Sequence, residues 1–352
     1  MGICDEIALS MDFKFLFDEQ RKIFVIGYNV TDARKDNSYY DLLASESRLT
    51  SFLAIAKGEV PQEHWFRLGR QMTSVKGRRV LISWTATMFE YLMPLLVMRR
   101  YTDTLLDQTY QTVVARQIEY GDEQGVPWGI SEAGYNARDL QLIYQYAPFG
   151  VPGLGLKRGL SDDLVVSPYS SMLAAIIDPL AALANLRSLE EKGALSRFGF
   201  YESIDYTPER LQKNQESFIL RSFMTHHQGM SLISLNNLLN GHIMQRRFHS
   251  EPLVQATQLL LQERIPHRVS LTRPRAEEVK SQGTRFPTDW NPRHFSDVNL
   301  PTPRTQLLSN GTYSVMITTS GSGYSRSSPY AVTRWREDVT RDHWGHFFYI
   351  RN

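Results

Sequence analysis

Apolar residues at helical spacing recur along most of the chain, separated by long loops rich in glycine, proline and aromatic residues. The spacing predicts helices at 42–56, 86–98, 104–120, 137–146, 169–191, 216–240 and 252–263. A hairpin is predicted to precede them at 11–30. Helices joined by such loops favour a helical toroid whose site lies at the loop end, although a plain helix bundle fits the pattern nearly as well.

The pattern changes after about residue 264, where arginine and proline become frequent and apolar periodicity fades. We therefore predict a helical domain over 1–263, a linker over 264–304 and the start of a β-domain over 305–352. Two segments of the last part, 311–317 and 346–350, have the pattern of strands.

Composition excludes several classes of protein. A formal charge of +2 gives no basic face for nucleic acid, and the single cysteine, Cys4, excludes a disulfide framework. The longest fully apolar run, 92–98, is too short to cross a bilayer, so we expect no direct membrane insertion by this chain and a cytoplasmic location.

Glu46 interrupts an apolar stripe. With Leu42, Leu49, Leu53 and Ala56 it follows helical spacing, so its carboxylate is predicted to lie on the buried face of the helix. A charge there must be paired, neutralised or lining a cavity. A buried ion pair with a distant arginine and a functional site remain equally open.

Glu132 lies in a loop between an indole and a phenol, Trp128 and Tyr135. Sugar sites are built this way, since aromatic faces stack on a pyranose while carboxylates and amides bond its hydroxyls. The alternative is a solvated acid that caps a helix beginning near Ala137.

Two further features carry weaker signals. Glu90 is the sole charge between Trp84 and Met98, so it is either paired or functional. His226 and His227 are adjacent on a predicted helix and point about 100° apart, so we expect them not to chelate one metal. No metal and no cofactor are predicted, since a dinucleotide fingerprint is also missing.

Several stretches together resemble a known family. They are SYYDLLASESRLTSFLAIAKGEVPQEHWFRLGR, TMFEYLMPLLV, RQIEYGDEQGVPWGISEAGYNARDLQLIYQYAPFGVPGLGLKRGL, GFYESIDYTP and HHQGMSLISL. Their order is similar to that of the glycoamylase-like middle domain of cyclic β-1,2-glucan synthases. The tail from LLSNGTYSVMITTSG onward resembles the opening of the phosphorylase-like β-sandwich that follows it.

The resemblance implies a mainly α fold, an (α/α)6 barrel incomplete at its N-terminus, followed by a truncated β-sandwich. It implies retaining transglycosylation that closes linear β-1,2-glucan into rings. By motif, Glu132 is the implied nucleophile and Glu46 the implied proton donor. Donors such as Tyr135 or Asn136 are then expected to lower the pKa of Glu132.

The implied partners are a β-1,2-glucan chain and the missing domains of a membrane-embedded synthase, in cis or as a separate chain. Alternatives are endo-hydrolysis of the same polymer and a non-catalytic glucan-binding remnant. The residues expected to hold the sugars are Glu90, Trp128, Tyr135, Tyr201, Glu202, His227 and Gln228.

Overall fold

A computed structural model describes residues 2–139, 143–266, 269–274, 303–335, 344–345 and 351. The chain divides into two compact units, Met1–Gln282 and Gly283–Asn352. Most of the predicted linker and the predicted strand at 346–350 lie outside the described residues. The domain limits at 263 and 304 therefore stay predictions.

The first unit carries the described helices. They are α1 (Gly2–Ser10), α2 (Arg48–Ala56), α3 (Glu63–Arg67), α4 (Met88–Leu92), α5 (Leu105–Gln124), α6 (Pro168–Ala174), α7 (Pro179–Glu191), α8 (Thr225–Leu239), α9 (Ile243–Phe248) and α10 (Pro252–Thr257). Short 3₁₀ helices cover Lys14–Leu16, Met93–Leu96, Pro208–Arg210 and Gln258–Gln262.

Short strands of the first unit form several small antiparallel sheets. They are β1 (Phe17–Asp18), β2 (Ile23–Val25), β3 (Tyr28–Asn29), β4 (Arg34–Lys35), β5 (Tyr39–Tyr40), β6 (Met72–Val75), β7 (Arg78–Leu81), β8 (Ala133–Arg138), β9 (Tyr144–Ala147), β10 (Val165–Val166), β11 (Leu195–Ser196), β12 (Gly199–Phe200), β13 (Ser203–Asp205) and β14 (Phe218–Leu220). Two three-stranded sheets have the orders β1-β2-β5 and β10-β13-β14, and the remaining strands pair as hairpins.

The second unit contains a four-stranded antiparallel meander. Its strands are β15 (Thr305–Ser309), β16 (Tyr313–Thr318), β17 (Gly323–Ser327) and β18 (Tyr330–Ala331). The strand predicted at 311–317 is thus confirmed as β16.

The core of the first unit gathers the buried faces of its central helices. Helix α6 packs against α4, α7 and α8, and α5 packs against β7. Among its largest fully buried side chains are Trp65, Tyr91, Phe52 and Leu43. The described helices include none that is both long and apolar enough to cross a membrane.

Most predicted helices are confirmed, with shifted ends. The helix predicted at 104–120 extends to Gln124, where Gly125 adopts a left-handed C-cap at φ 67°. The helix predicted at 169–191 is two helices, because Asp178 caps the second one and Pro179 begins it. The hairpin predicted at 11–30 is confirmed by the pairing of β1 with β2.

Two helix predictions are wrong where they affect the site. The helix expected at 42–56 begins only at Arg48, so Glu46 lies in the preceding turn rather than on an apolar helical stripe. The helix expected at 137–146 is wrong, because β8 and β9 form an antiparallel hairpin there. Packing of β8 against β13 and β14 favours extended backbone over the weak helical spacing.

Candidate active site

Two buried amides hold the loop that leads to Glu132. The side chain of Gln117 on α5 accepts from the backbone nitrogen of Ile130 and donates to its carbonyl oxygen, each at 2.8 Å. Asn185 on α7 does the same for Trp128, at 3.0 and 2.7 Å. Because each amide fixes both polar groups of one residue, the loop enters β8 with a defined backbone.

Glu132 is half-buried, directly before β8. The hydroxyl of Tyr146, from the facing strand β9, lies 3.0 Å from its Oε1, and the hydroxyl of Tyr169 donates to its backbone carbonyl at 3.0 Å. Burial raises the pKa of the Glu132 carboxyl, and the charge of Glu46 raises it further. The hydrogen bond from Tyr146 opposes both. The expectation that Tyr135 or Asn136 would lower this pKa is wrong, since their contacts lie elsewhere.

Tyr146 connects Glu132 to a buried pair. Its hydroxyl oxygen lies 3.1 Å from Nε2 of His227, and Nδ1 of His227 lies 3.0 Å from Oε2 of Glu202. The other oxygen of Glu202 accepts from the backbone nitrogen of Gly134 at 3.0 Å. The His227 ring stacks on Tyr169 with ring centroids 3.7 Å apart. His227 and Glu202 are 1% and 2% exposed, so these contacts are fixed by packing.

Glu46 occupies a serine-rich turn before α2. The Ser45 hydroxyl donates to its Oε2 at 3.1 Å, and its backbone carbonyl accepts from Leu49. Nη1 of Arg48 donates to the carbonyl oxygen of Ser45 at 2.8 Å. The arginine therefore fixes the backbone of the turn, and the carboxyl of Glu46 is left half-buried.

Electrostatics link Glu46 and Glu132. The charges of both carboxylates raise the pKa of Tyr40, after the larger effect of burial. The charge of Glu46 also contributes to the raised pKa of Glu132. A carboxylate influences a neighbour in this way only at short range. The two acids and Tyr40 are therefore neighbours in space.

Glu90 is buried and satisfied by its own neighbourhood. Its carboxylate accepts from the Ser83 hydroxyl at 2.8 Å and from the backbone nitrogens of Thr85 and Thr87 at 3.1 to 3.2 Å. With Thr87 it forms the capping box that begins α4. Burial raises the pKa of this carboxyl, and these hydrogen bonds oppose that effect. The hydrogen bonds of Glu90 therefore indicate a structural role.

The predicted sugar-contacting residues fall into different environments. Trp128 is 7% exposed and its ring is part of the core. Tyr135 packs edge-on against Phe149, and Tyr201 lies against Phe223. Gln228 on α8 donates to the carbonyl oxygen of Phe200 at 3.3 Å. Of the predicted set, only Glu202 and His227 connect to Glu132 through the hydrogen bonds just described.

One group of side chains has the spacing of a metal site. The ligand atoms of Glu132, His226 and His227 lie within 4.8 Å of one another. The argument that adjacent histidines diverge is wrong here, because the two rings are 4.1 Å apart and both Nε2 atoms approach Tyr146. Burial lowers the pKa of His226, as does the charge of His227, which favours the neutral ring. The Tyr146 hydroxyl lies within 3.3 Å of all three residues.

Sequence reasoning missed Tyr146, Tyr40 and Tyr169. Tyr146 was assigned to a helix, although Tyr144 and Tyr146 alternate as strand residues do. Tyr40 precedes the helix expected at 42–56 and lies in β5. Nothing local distinguishes Tyr169 from a core residue.

A comparison with known families identifies most of the chain. The sequence model named "Glycoamylase", described as "Putative glucoamylase", matches residues 38–252, which contain Glu46, Glu132, Tyr146, Glu202 and His227. The chain belongs to the glycoamylase family. Beyond this glycoamylase region, the model of the glycosyl hydrolase 94 supersandwich domain matches residues 291–352.

A synthase resembles this glycoamylase-family chain over nearly its whole length. It is 45% identical over 348 residues to the cyclic beta-(1,2)-glucan synthase NdvB of Rhizobium meliloti (strain 1021). The match covers 99% of this chain and 12% of that protein.

Solved structures show the shared fold. An endo-beta-1,2-glucanase from Chitinophaga pinensis is similar with a TM-score of 0.55 at 15% identity, covering 73% of this chain and 63% of that one. A beta-1,2-glucanase from Parabacteroides distasonis is similar with a TM-score of 0.56 at 15% identity, covering 73% and 40%.

Proposed function

We propose that this chain acts on linear β-1,2-glucan and closes it into rings by retaining transglycosylation. The observation that carries the proposal is a pair of carboxyls with different hydrogen-bond partners. Glu132 accepts from Tyr146, and Glu46, which accepts from Ser45, has a charge that raises the pKa of Glu132. Retaining glycosidases use two carboxyls in this way, one as nucleophile and one as acid and then base.

Glu132 is the proposed nucleophile. Its carboxylate accepts from the Tyr146 hydroxyl and its backbone carbonyl accepts from Tyr169, while the amide of Gln117 fixes the backbone of Ile130 two residues earlier. A nucleophile must be aimed, since misplacement of an attacking atom costs rate steeply. Glu132 attacks the anomeric carbon and forms the glycosyl-enzyme.

Glu46 is the proposed proton donor. Its turn leaves the carboxyl half-buried with one serine hydroxyl as donor, so an oxygen remains for the glycosidic bond. After the first half-reaction the same group accepts a proton from the chain's own far hydroxyl, which then displaces Glu132.

The glucan assignment rests on relatives. A protein whose name is cyclic beta-(1,2)-glucan synthase is 45% identical over the chain, and two structural neighbours are named as beta-1,2-glucanases. This chain spans about an eighth of that synthase, so the synthase's complete activity belongs to the proposal. The proposal includes an (α/α)6 barrel as the fold to which these helices contribute.

Exposed leucines support a larger assembly. Leu180 and Leu183 are exposed three positions apart on α7, and Leu232 and Leu239 are exposed seven apart on α8. Apolar faces at helical spacing call for packing partners. We assign these two faces to helices elsewhere in a larger synthase, in the same chain or a separate one.

The remaining predicted sugar contacts stay predictions. Tyr135, Tyr201 and Gln228 are partly exposed, whereas Trp128 and Glu90 are buried and act on the glucan only through the loop and helix they hold. We add Tyr40, whose hydroxyl is influenced by both proposed catalytic carboxylates.

The test is incubation of the purified chain with linear β-1,2-glucan, followed by mass spectrometry. Rings weigh one water less than linear chains of equal length, and we expect them from the wild type and not from Glu132→Gln. Glu63→Gln, an exposed acid on α3, is the matched control and should retain activity.

Other products would redirect the proposal. Shorter linear chains would identify a hydrolase, and the anomer of the new reducing end would distinguish retention from inversion. Binding of glucan that survives in Glu132→Gln, without turnover by the wild type, would identify a glucan-binding remnant instead.

A further inference from the structure

Four side chains form one continuous line of hydrogen bonds from Glu132 into the core. The contacts are Glu132 Oε1 to Tyr146 Oη at 3.0 Å, Tyr146 Oη to His227 Nε2 at 3.1 Å, and His227 Nδ1 to Glu202 Oε2 at 3.0 Å. The line joins the proposed nucleophile to residues far away in sequence. It needs an explanation, because buried polar groups are costly unless every one has its partner.

The protons of this line can be counted. Nδ1 of His227 carries a proton, since the Glu202 oxygen beside it accepts. Tyr146 has one proton, which it donates either to Glu132 or to Nε2 of His227. In the first case His227 is an imidazolium that donates to the tyrosine oxygen and Glu132 is ionised. In the second His227 is neutral and Glu132 carries a proton that it donates to Tyr146.

The two arrangements contain the same atoms and the same number of protons. To pass from the second to the first, the O–H bond of Glu132 breaks and its proton forms a new O–H bond on Tyr146. The proton that Tyr146 held leaves with it and forms an N–H bond on His227 Nε2. The acid becomes a carboxylate and the imidazole an imidazolium, so the total charge is unchanged.

We infer that Tyr146, His227 and Glu202 form a proton relay that sets the ionisation of Glu132 for attack. The inference rests on the proposed nucleophilic role of Glu132. Tyr146, His227 and Glu202 are positioning residues in this account, since they act through Glu132.

Charge balance supports the relay. Among the described residues, only His227 lies within ion-pair distance of Glu202, at 3.0 Å, and the pair is ionic when the ring is protonated. An imidazolium is therefore compensated at Glu202 while Glu132 is ionised at the other end. The ring of Tyr169 stacks on His227, and the backbone nitrogen of Gly134 donates to Glu202. These two contacts hold His227 and Glu202 in position.

The other titratable groups that face the line are few. They are His226, whose Nε2 lies 3.3 Å from the Tyr146 hydroxyl, Tyr169 against the His227 ring, and Glu46 and Tyr40 near Glu132. Burial raises the pKa of Tyr146, and the charge of Glu132 raises it further, so the hydroxyl stays protonated as a relay group requires.

The first experiment compares Tyr146→Phe with Tyr144→Phe in the glucan assay. Tyr144 is on the same strand, and its hydroxyl accepts from Arg138 instead. We expect Tyr146→Phe to lower kcat about 100-fold with KM nearly unchanged. We also expect it to move the acidic limb of the pH profile to higher pH. Tyr144→Phe should change neither. Normal kcat and an unmoved limb in Tyr146→Phe would overturn the relay.

Glu202→Gln tests the far end. A glutamine that keeps the hydrogen bond from Gly134 presents its NH₂ to Nδ1 of His227 and forces the proton to Nε2, so the ring can no longer accept from Tyr146. We expect a loss of kcat similar to that of Tyr146→Phe, and little further loss in the double variant. Additive losses would overturn the relay.

A readout without turnover separates this inference from the proposed function. The ¹⁵N signals of the His227 ring in the whole chain report whether Nε2 carries a proton. Glu132→Gln should move Nε2 towards the unprotonated nitrogen, and the same change should be much smaller in a Tyr146→Phe background. Equal changes in both backgrounds would overturn the relay, even if the wild type proves inactive on glucan.

A metal ion bound at Glu132, His226 and His227 would exclude the relay and would give a different experimental result. Zn²⁺ bound by Glu132, His226 and His227 needs the same Nε2 atom of His227 that the relay uses. Loss of turnover on dialysis against EDTA, restored by Zn²⁺, would overturn the relay in favour of a metal site. We expect turnover unchanged by EDTA.

Discussion

Nη1 of Arg48 donates to the backbone carbonyl oxygen of Glu90 at 2.9 Å, across 42 positions of sequence. The same guanidinium also donates to the carbonyl oxygens of Ser45 and Tyr91. It thereby ties the turn that carries Glu46 to helix α4. Arg48 is fully buried, and its hydrogen bonds go to backbone carbonyls and the Tyr110 hydroxyl.

Replacing this arginine should destabilise the first unit. Arg48→Met fills a similar volume but removes the guanidinium donor of the Glu90 and Tyr91 carbonyls and leaves that of Ser45 only the backbone nitrogen of residue 48, so we expect a loss of about 3 kcal/mol in the free energy of unfolding. Urea denaturation measures it. Arg67→Met removes an exposed pair with Glu63 and should cost at most about 0.5 kcal/mol. Equal losses of unfolding free energy in the two variants would refute the proposed role of Arg48 in holding the Glu46 turn to α4.

Azide can separate the roles of the two carboxyls. In Glu132→Ala, azide attacks from the vacated face, and a β-linked donor gives the α-glycosyl azide after one inversion. In Glu46→Ala, azide instead displaces Glu132 from the glycosyl-enzyme and gives the β-azide. We expect both products, identified by NMR with a donor that has an activated leaving group. Reversed products would exchange the two roles.

How far the sequence predicts this molecule depends on whether the decisive contacts are local. Helix α5 is predicted because its signals are local, including a threonine cap. The break at Pro179 has local signals too, an aspartate cap and a proline that cannot continue a helix, but the prediction of one helix over 169–191 passed over them. Glu46 and Glu132 are recognisable as candidate site residues in the sequence because their neighbours are apolar or aromatic. Their roles came from the resemblance, since spacing alone did not separate them from structural acids.

The missed residues depend on contacts between distant segments. Tyr146 was placed on a helix, because apolar spacing over 137–146 weakly fits a helical period and the packing of β8 on β13 and β14 is invisible in the sequence. The position of Glu46 was wrong for a similar reason. Leu42 pairs with Gly69 in an isolated β-bridge and is not part of a helix. Its spacing from Glu46 therefore does not place the two side chains on one helical face.

The pH dependence of turnover should respond to Glu46. Burial and then Glu46 raise the pKa of Glu132, so a larger share of the nucleophile is protonated at mildly acidic pH than in an isolated glutamate. Glu46→Gln removes a neighbouring negative charge. The pKa of Glu132 then falls, and the acidic limb should move to lower pH.

Because Glu46→Gln lacks the proposed proton donor, its pH profile is measured with an aryl β-glycoside of the β-1,2-linked glucose disaccharide. The aryl group leaves without being protonated. Glu63→Gln should leave the limb in place, since Glu63 is exposed on α3 and paired with Arg67. Movement of the limb to higher pH in Glu46→Gln would contradict the electrostatic link between the two acids.

Gly129 should be intolerant of a side chain. Its φ is 118°, and a Cβ there would lie 2.4 Å from the Ser170 hydroxyl oxygen, which is itself bonded to the carbonyl oxygen of Ser167. Gly129→Ala therefore combines backbone strain with a clash in the loop that leads to Glu132. We expect a loss of about 3 kcal/mol in stability and a fall in kcat.

Gly125→Ala provides the comparison, because φ there is 67° and nothing lies within 4 Å of the added Cβ. Strain alone should cost about 1 kcal/mol at that position, with kcat unchanged, so equal losses in urea denaturation would show that the clash at Ser170 is relieved by movement of the loop.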